Sequence, residues 1–210
     1  MVSMGNRSRV ADLPLRYLTP DGWAVAVMRQ PVLLLNDHAH LEKKAAVNAL
    51  ELLNRWPEPN PPENWVQTMT SVARDEVEHL AIVCRILARR GGRLTKFHKN
   101  PYATALRGLV RLGEGTLELM DRLMISALIE ARSCERFELL SRNCDDRELA
   151  KLYKTLWASE NGHYRVFLEQ ARNIHKARVV NVRWGEMLDA EAEIIQGQTG
   201  GPRIHSSFGG

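Results

Sequence analysis

Apolar residues recur along most of the chain at the three- and four-residue spacing of a helix face, and four of these stripes are long. Leu35, His38, Glu42, Ala45, Ala49 and Leu52 share one, in a helix expected over about 31–56. Val72, Glu76, His79, Val83 and Ile86 share the second, over about 63–90. Met120, Leu123, Ala127, Glu130, Cys134 and Phe137 form the third, over about 115–142. Tyr153, Leu156, Glu160, His163 and Phe167 form the fourth, in a helix running to about 174 that an Asp145–Glu148 capping box should open. The four prolines between Pro57 and Pro62 force a loop, and Gly91-Gly92 stops the second helix.

Shorter elements fill the rest. Thr19-Pro20 reads as an N-cap and first helical position of a short helix to Gln30, and Pro31 opens the next. A basic linker leads from Gly91 into a short crossover helix over 101–112, between the two helix pairs. A basic connector over 175–183 precedes a last helix over 184–196. Residues 1–18 read as a polar arm, and the tail 197–210, with five glycines, as irregular. No stretch alternates in the manner of a strand. The pattern predicts an all-α chain: one four-helix domain over 1–210 with its core bundle at about 31–175, a long crossover between the helix pairs, and short extra helices.

Composition changes this picture little. The 210 residues suffice for one sizeable core, and 44% hydrophobic with 26% charged residues is ordinary for a globular protein. A net charge of +4 favours acidic partners over basic ones. Cys84, Cys134 and Cys144 are odd in number and form no C-x-x-C, as expected of reduced thiols in the cytoplasm. The N-terminal residues lack an apolar signal core, and no apolar run approaches a membrane span, so no membrane partner is expected.

The chemistry lies in what interrupts the stripes. Glu76 and His79 are three residues apart, as are Glu160 and His163, and at that spacing a helix holds both side chains about 60° apart, one turn along. Each pair follows, by 34 and 30 residues, a lone Glu on the preceding stripe: Glu42 and Glu130. Ionisable groups on apolar faces need a charge partner, and a metal accepts carboxylate and imidazole together. Four carboxylates and two imidazoles in this order resemble the ligand set of ferritin-like dimetal bundles. Without a thiolate the set suits iron or manganese. Asp37 and His40 have similar spacing but fall off the stripe, and Glu78 should face water. Glu135 competes with Glu130 but lies about 140° from it around the helix. His38, one turn before Glu42, reads either as a hydrogen-bond partner of the site or as a satisfied core histidine. Asp75 reads either as a partner for the non-ligating nitrogen of His163 or as a surface acid paired with Arg74 or Arg132.

Four blocks carry a closer resemblance. Asp37-His38-Ala39-His40-Leu41-Glu42-Lys43-Lys44-Ala45-Ala46, Ala73-Arg74-Asp75-Glu76-Val77-Glu78-His79, Ile129-Glu130-Ala131-Arg132-Ser133-Cys134-Glu135-Arg136-Phe137 and Ser159-Glu160-Asn161-Gly162-His163 are similar to the tRNA-(2-methylthio-N6-isopentenyladenosine) hydroxylases, MiaE. The likeness runs from about residue 13 into the tail, at Arg203-Ile204-His205-Ser206. Asn161-Gly162, a weak helical dipeptide, departs from a good helix and should loosen it locally. The resemblance implies a non-haem diiron monooxygenase. It would hydroxylate the isopentenyl group beside the anticodon, using O2 and two electrons from a reductase or ferredoxin. Two irons would be held by Glu42, Glu76, His79, Glu130, Glu160 and His163, in a protein expected to be a monomer.

A tRNA substrate would need cations for its phosphates. Arg107 and Arg111 beside the crossover, and Lys176 and Arg178 after the fourth helix, are the candidates; taken singly, each reads first as solvated loop charge. Leu35, Leu123, Ala127 and Phe167 are candidates for an apolar throat, or plain core. Two other functions fit a dimetal bundle less closely: a ferritin-like oxidase whose substrate is iron itself, and a non-enzymatic RNA-binding bundle with structural metal.

Overall fold

The computed structural model describes residues 12–208, so Arg7 and Arg9 of the N-terminal arm and the last two glycines lie outside the described residues. Seven helices and no strand occur among the described residues: α1 Gly22–Val27, α2 Pro31–Leu53, α3 Glu63–Arg89, α4 Pro101–Arg107, α5 Thr116–Asn143, α6 Arg147–Ile174 and α7 Ala177–Gln196. Helices α2 and α3 pack as one hairpin and α5 and α6 as the other, with α3 touching α6 between them. The crossover helix α4 and the last helix α7 both lie against α5.

Breakers set most of the ends. Pro31 is the first residue of α2, where its missing N–H costs nothing. That helix ends at Leu53, short of the expected 56, because a residue before proline avoids the α region; Trp56 instead packs against Trp65 with ring centroids 5.2 Å apart. After α3 the chain reverses at Gly91, whose φ of 77° favours glycine, and the Gly92 N–H returns to the Leu87 carbonyl at 3.0 Å.

Several local expectations need correction. The N-cap of α6 is Asp146, not Asp145: its carboxylate accepts from the Glu148 and Leu149 amides at 3.0 and 3.1 Å. The crossover helix stops at Arg107 rather than 112. Helix α7 starts at Ala177, so most of the supposed basic connector is helical. Val180 lies one heptad before Met187 and extends the buried stripe of Met187, Leu188, Glu191 and Ile195; the surrounding cations obscure that periodicity. Helix α6 is unbroken through Asn161-Gly162.

Thr19 caps nothing. Its amide and hydroxyl both donate to Glu135, at 2.5 and 2.9 Å, and Asp21 stands at the start of α1. The cause is a buried ion network on α5. Arg132 donates to Glu135 at 2.5 Å and to both oxygens of Glu191 on α7 at 2.8 Å. Tyr102 of α4 adds a hydrogen bond to Glu191 at 2.9 Å. Charges with no solvent exposure are tolerated only when paired and fully hydrogen-bonded, so this network fixes the N-terminal segment, α4 and α7 onto one face of α5.

The tail is irregular but docked. Ile204, His205 and Ser206 are buried. The Ile204 amide donates to Asp37 at 2.8 Å, and Arg136 donates to the Ser206 carbonyl at 2.9 Å. Asp37 and His40, off the bundle stripe, are therefore buried after all. The 94–100 linker and the tail cover them: His98 bonds Asp37 at 2.7 Å and stacks on His40, ring centroids 4.7 Å apart.

Candidate metal centre

The apolar core comes in two blocks. One takes Leu34, Leu35 and Ala39 from α2, Val83 to Leu87 from α3, Phe137 to Leu140 from α5 and Leu149 to Leu156 from α6. The other takes Ala49 and Leu52 from α2, Trp65 to Ala73 from α3, Leu119 to Cys134 from α5 and Tyr164 to Ala171 from α6. Glu42, Glu76, His79, Glu160 and His163 fall between the blocks on their helices, and Glu130 lies near the same boundary on α5. All six are buried.

The geometry is convergent. One potential ligand atom each from Glu42, Glu76, His79 and Glu160 lie within 4.8 Å of one another. His79 Nδ1 is 3.2 Å from Glu160, 3.5 Å from Glu42 and 3.7 Å from Glu76. His163 Nδ1 is 2.7 Å from the other oxygen of Glu76 and 3.2 Å from the other oxygen of Glu160. Glu76 and Glu160 thus each span the two imidazoles. Glu42 sits on the His79 side, and Glu130 lies against Glu160, whose charge raises its carboxyl after burial does. The imidazole rings are 6.1 Å apart.

Short distances here are not all hydrogen bonds. The 2.7 Å approach of His163 to Glu76 is out of line for one, and both Glu76 oxygens and His79 Nδ1 are buried without a hydrogen-bond partner. Buried polar atoms are normally satisfied. Lone pairs aimed at a common point rather than at each other's protons are the arrangement a cation requires.

The electrostatics agree. Burial, then the Glu160 charge, pushes Glu76 up to about 8, and burial chiefly raises Glu42 and Glu130 as well. For Glu160 burial acts upward, but the facing His163 and His79 imidazoles outweigh it and hold it low. Burial would lower both imidazoles, yet the carboxylates win: His79 is raised, and His163 reaches about 10. Without metal, protons take the place of cations. The four carboxylates carry four negative charges when ionised, which two divalent ions cancel.

The surrounding residues divide. His38 donates Nε2–H to Glu42 at 2.5 Å, and burial keeps its imidazole neutral down to about 4, so at neutral pH it is a donor that orients the carboxylate. Asp75 lies 3.5 Å from His163 Nε2, the nitrogen turned away from the cluster, and also 3.2 Å from Arg74. Both readings of Asp75 therefore meet in one place: a carboxylate one-third exposed that faces a cluster imidazole and a surface guanidinium. Glu135 is remote from the cluster, in the Arg132 network. Glu78 is exposed.

Of the proposed phosphate contacts, Arg107, Lys176 and Arg178 are exposed. Arg111 is not free: three of its N–H groups bind Asp121 at 2.7, 2.8 and 3.1 Å, so its charge is spent inside the fold. Leu35, Leu123, Ala127 and Phe167 are plain core with no path to solvent. A cavity does reach Glu130 by another route, between α2, α4 and α5, lined by Leu41, Ala45, Ile125 and Ile129. Sequence periodicity could not show it, because its outer wall is the crossover helix.

Comparison with known proteins points one way. The sequence model of a family described as tRNA-(MS[2]IO[6]A)-hydroxylase (MiaE) matches residues 9–206. The tRNA 2-(methylsulfanyl)-N(6)-isopentenyladenosine(37) hydroxylase of Pseudomonas putida is 38% identical over 191 residues, covering 90% of each chain. The enzyme of the same description from Salmonella typhimurium is 28% identical, over 90% of this chain and 86% of its own. A solved structure, protein 43 with aldehyde deformylating oxygenase activity from Synechococcus, superposes with a TM-score of 0.84 at 30% identity, covering 92% of this chain and 96% of that one.

Proposed function

Because the chain belongs to the MiaE family of tRNA hydroxylases, we propose that its convergent cluster holds two non-haem irons and that there it hydroxylates the isopentenyl group of 2-methylthio-N6-isopentenyladenosine in tRNA. The observation that carries the metal reading is the pair of buried, unpartnered Glu76 oxygens facing the unpartnered His79 Nδ1 at the gap between two apolar blocks. Glu42, Glu76 and His79 from one hairpin and Glu130, Glu160 and His163 from the other would hold the ions. Iron bound there would supply the redox chemistry by which O2, with two electrons, oxidises a C–H bond. The chain's own contribution is different. It holds Glu160 ionised between the two imidazoles, orients Glu42 through His38, and closes the site to bulk water with apolar layers above and below. The electrons come, on this reading, from a reductase or ferredoxin.

The test uses the iron-loaded protein, a chemical reductant, tRNA carrying the prenylated base, and isotopically heavy O2. Mass spectrometry of the digested nucleosides should show one added oxygen bearing the label. No product, or oxygen drawn from water, would sink the assignment.

A second reading rests on the Synechococcus neighbour, whose activity is aldehyde deformylation. Presenting a long-chain aldehyde to the same preparation separates the two: the tRNA reading expects no alkane.

Asp75 gives a further prediction. Partners of a metal-bound imidazole are worth about 10–100-fold in metal affinity or activity. Asp75→Ala should therefore weaken iron retention within that range, measured by competition with a chelator, whereas Arg74→Ala should not. Equal retention in Asp75→Ala and the parent would leave Asp75 a surface acid.

A further inference from the structure

The cavity that reaches Glu130 is narrow. Its volume is about 60 Å³. At about 15 Å³ per water-sized position it holds about four of them, the bulk of a branched five-carbon chain and far below that of a purine. A wider groove of about 480 Å³ adjoins it along α4, and Lys44, Asn100, Ala103 and Arg107 line both spaces.

Two cations stand at the junction. Lys44 donates to His98 Nδ1 at 2.8 Å, and His98 Nε2 donates in turn to Asp37 at 2.7 Å, so the ammonium is held in place by a neighbour that itself cannot rotate. Arg107 is close enough that, after burial, its charge is the next cause of a lowered Lys44 pKa. Neither has an ion-pair partner among the described residues, whereas Arg122, the third cation on the cavity, is taken by Glu118 at 2.8 Å. Two like charges kept together with no carboxylate paired directly to either form a place for an anion.

Resting on the hydroxylase reading above, we infer that only the isopentenyl chain enters the cavity, while the base stays in the groove over α4 and its flanking phosphate lies against Lys44 and Arg107. The cavity then acts as a length gauge. Ala45, one turn beyond Glu42 on α2, and Ile125 on α5 set its width.

The test compares two substrates on the iron-reconstituted, chemically reduced full chain: an anticodon stem-loop RNA with the modified base, and the free modified nucleoside, which has no phosphate. Arg107→Glu should raise KM for the RNA about tenfold more than KM for the nucleoside, and lower the salt slope of RNA binding by about one. Ala45→Phe, which fills the cavity, should reduce turnover of both substrates by at least about tenfold. Ile125→Ala should keep the five-carbon substrate and gain turnover of a ten-carbon prenyl analogue that the parent rejects. An unchanged KM for RNA in Arg107→Glu overturns the phosphate site. Full turnover in Ala45→Phe at unchanged iron content overturns the cavity; if that variant loses iron, Ile125→Ala decides, and failure to accept the longer chain overturns the length gauge. Should the parent, fully loaded and reduced, oxidise neither substrate, the hydroxylase reading fails instead.

Discussion

Glu160→Ala is expected to leave no more than about one iron per chain and to lower hydroxylation by more than about a hundredfold, the upper end of what losing a mere hydrogen-bond partner of a metal-bound imidazole costs. The reason is position. One Glu160 oxygen faces His79 and the other faces His163, so the residue joins the two halves of the cluster. Glu76 does the same from α3, and Glu76→Ala should behave alike. Glu42 touches only the His79 side, so Glu42→Ala should retain more metal than either. Metal analysis of anaerobically reconstituted protein, paired with turnover, reads the series. Full occupancy in both Glu76→Ala and Glu160→Ala would dissociate the cluster from metal binding altogether. Glu135→Gln serves as the contrast: it disturbs the Arg132 network and stability, and should leave iron stoichiometry unchanged.

The four long helices and the six clustered residues were legible because both are periodic. An amphipathic stripe states which face is buried, and an ionisable residue on that face is conspicuous. What was not legible depends on contacts distant in sequence. Thr19 has the chemistry of an N-cap, but Glu135, placed by Arg132 and lying far along the chain, competes for it and wins. Asp37 and His40 fall off the bundle stripe and are buried by a linker and a tail whose docking no local pattern announces. Helix α7 begins before the expected 184; the cations flanking Val180 mask its place on the buried stripe. Arg111 resembled Arg107 in sequence; only the Asp121 carboxylate on α5 distinguishes a structural arginine from a free one. Access to the cluster belongs to this class too, since the cavity exists only where α4 leans against α2 and α5.

The metal-free protein should lose stability as pH rises from about 6.5 to about 8, while the iron-loaded protein should not. Glu76, with an ordinary value of 4.5, holds its proton in the fold up to about 8. Its contribution is complete below 4.5 and disappears as pH rises through 8. His163, raised from 6.5 to about 10, contributes fully below 6.5 and loses that contribution through 10. His38 has the opposite sign: depressed from 6.5 to about 4, it favours the fold above 6.5 and penalises it below. Between 4.5 and 6.5 Glu76 and His38 therefore offset each other, and above 6.5 the losses from Glu76 and His163 add. Each group contributes at most about 1.4 kcal/mol per pH unit, so the decline across this window is on the order of a few kcal/mol. Bound cations replace those protons, and their affinity grows with pH because the ligands must be deprotonated. The gap between the melting temperatures of loaded and metal-free protein should accordingly widen from pH 6.5 to 8. Glu76→Gln, which cannot ionise, should flatten the metal-free curve. A metal-free melting temperature that is level or rises across this window would show that the cluster does not hold protons in place of metal.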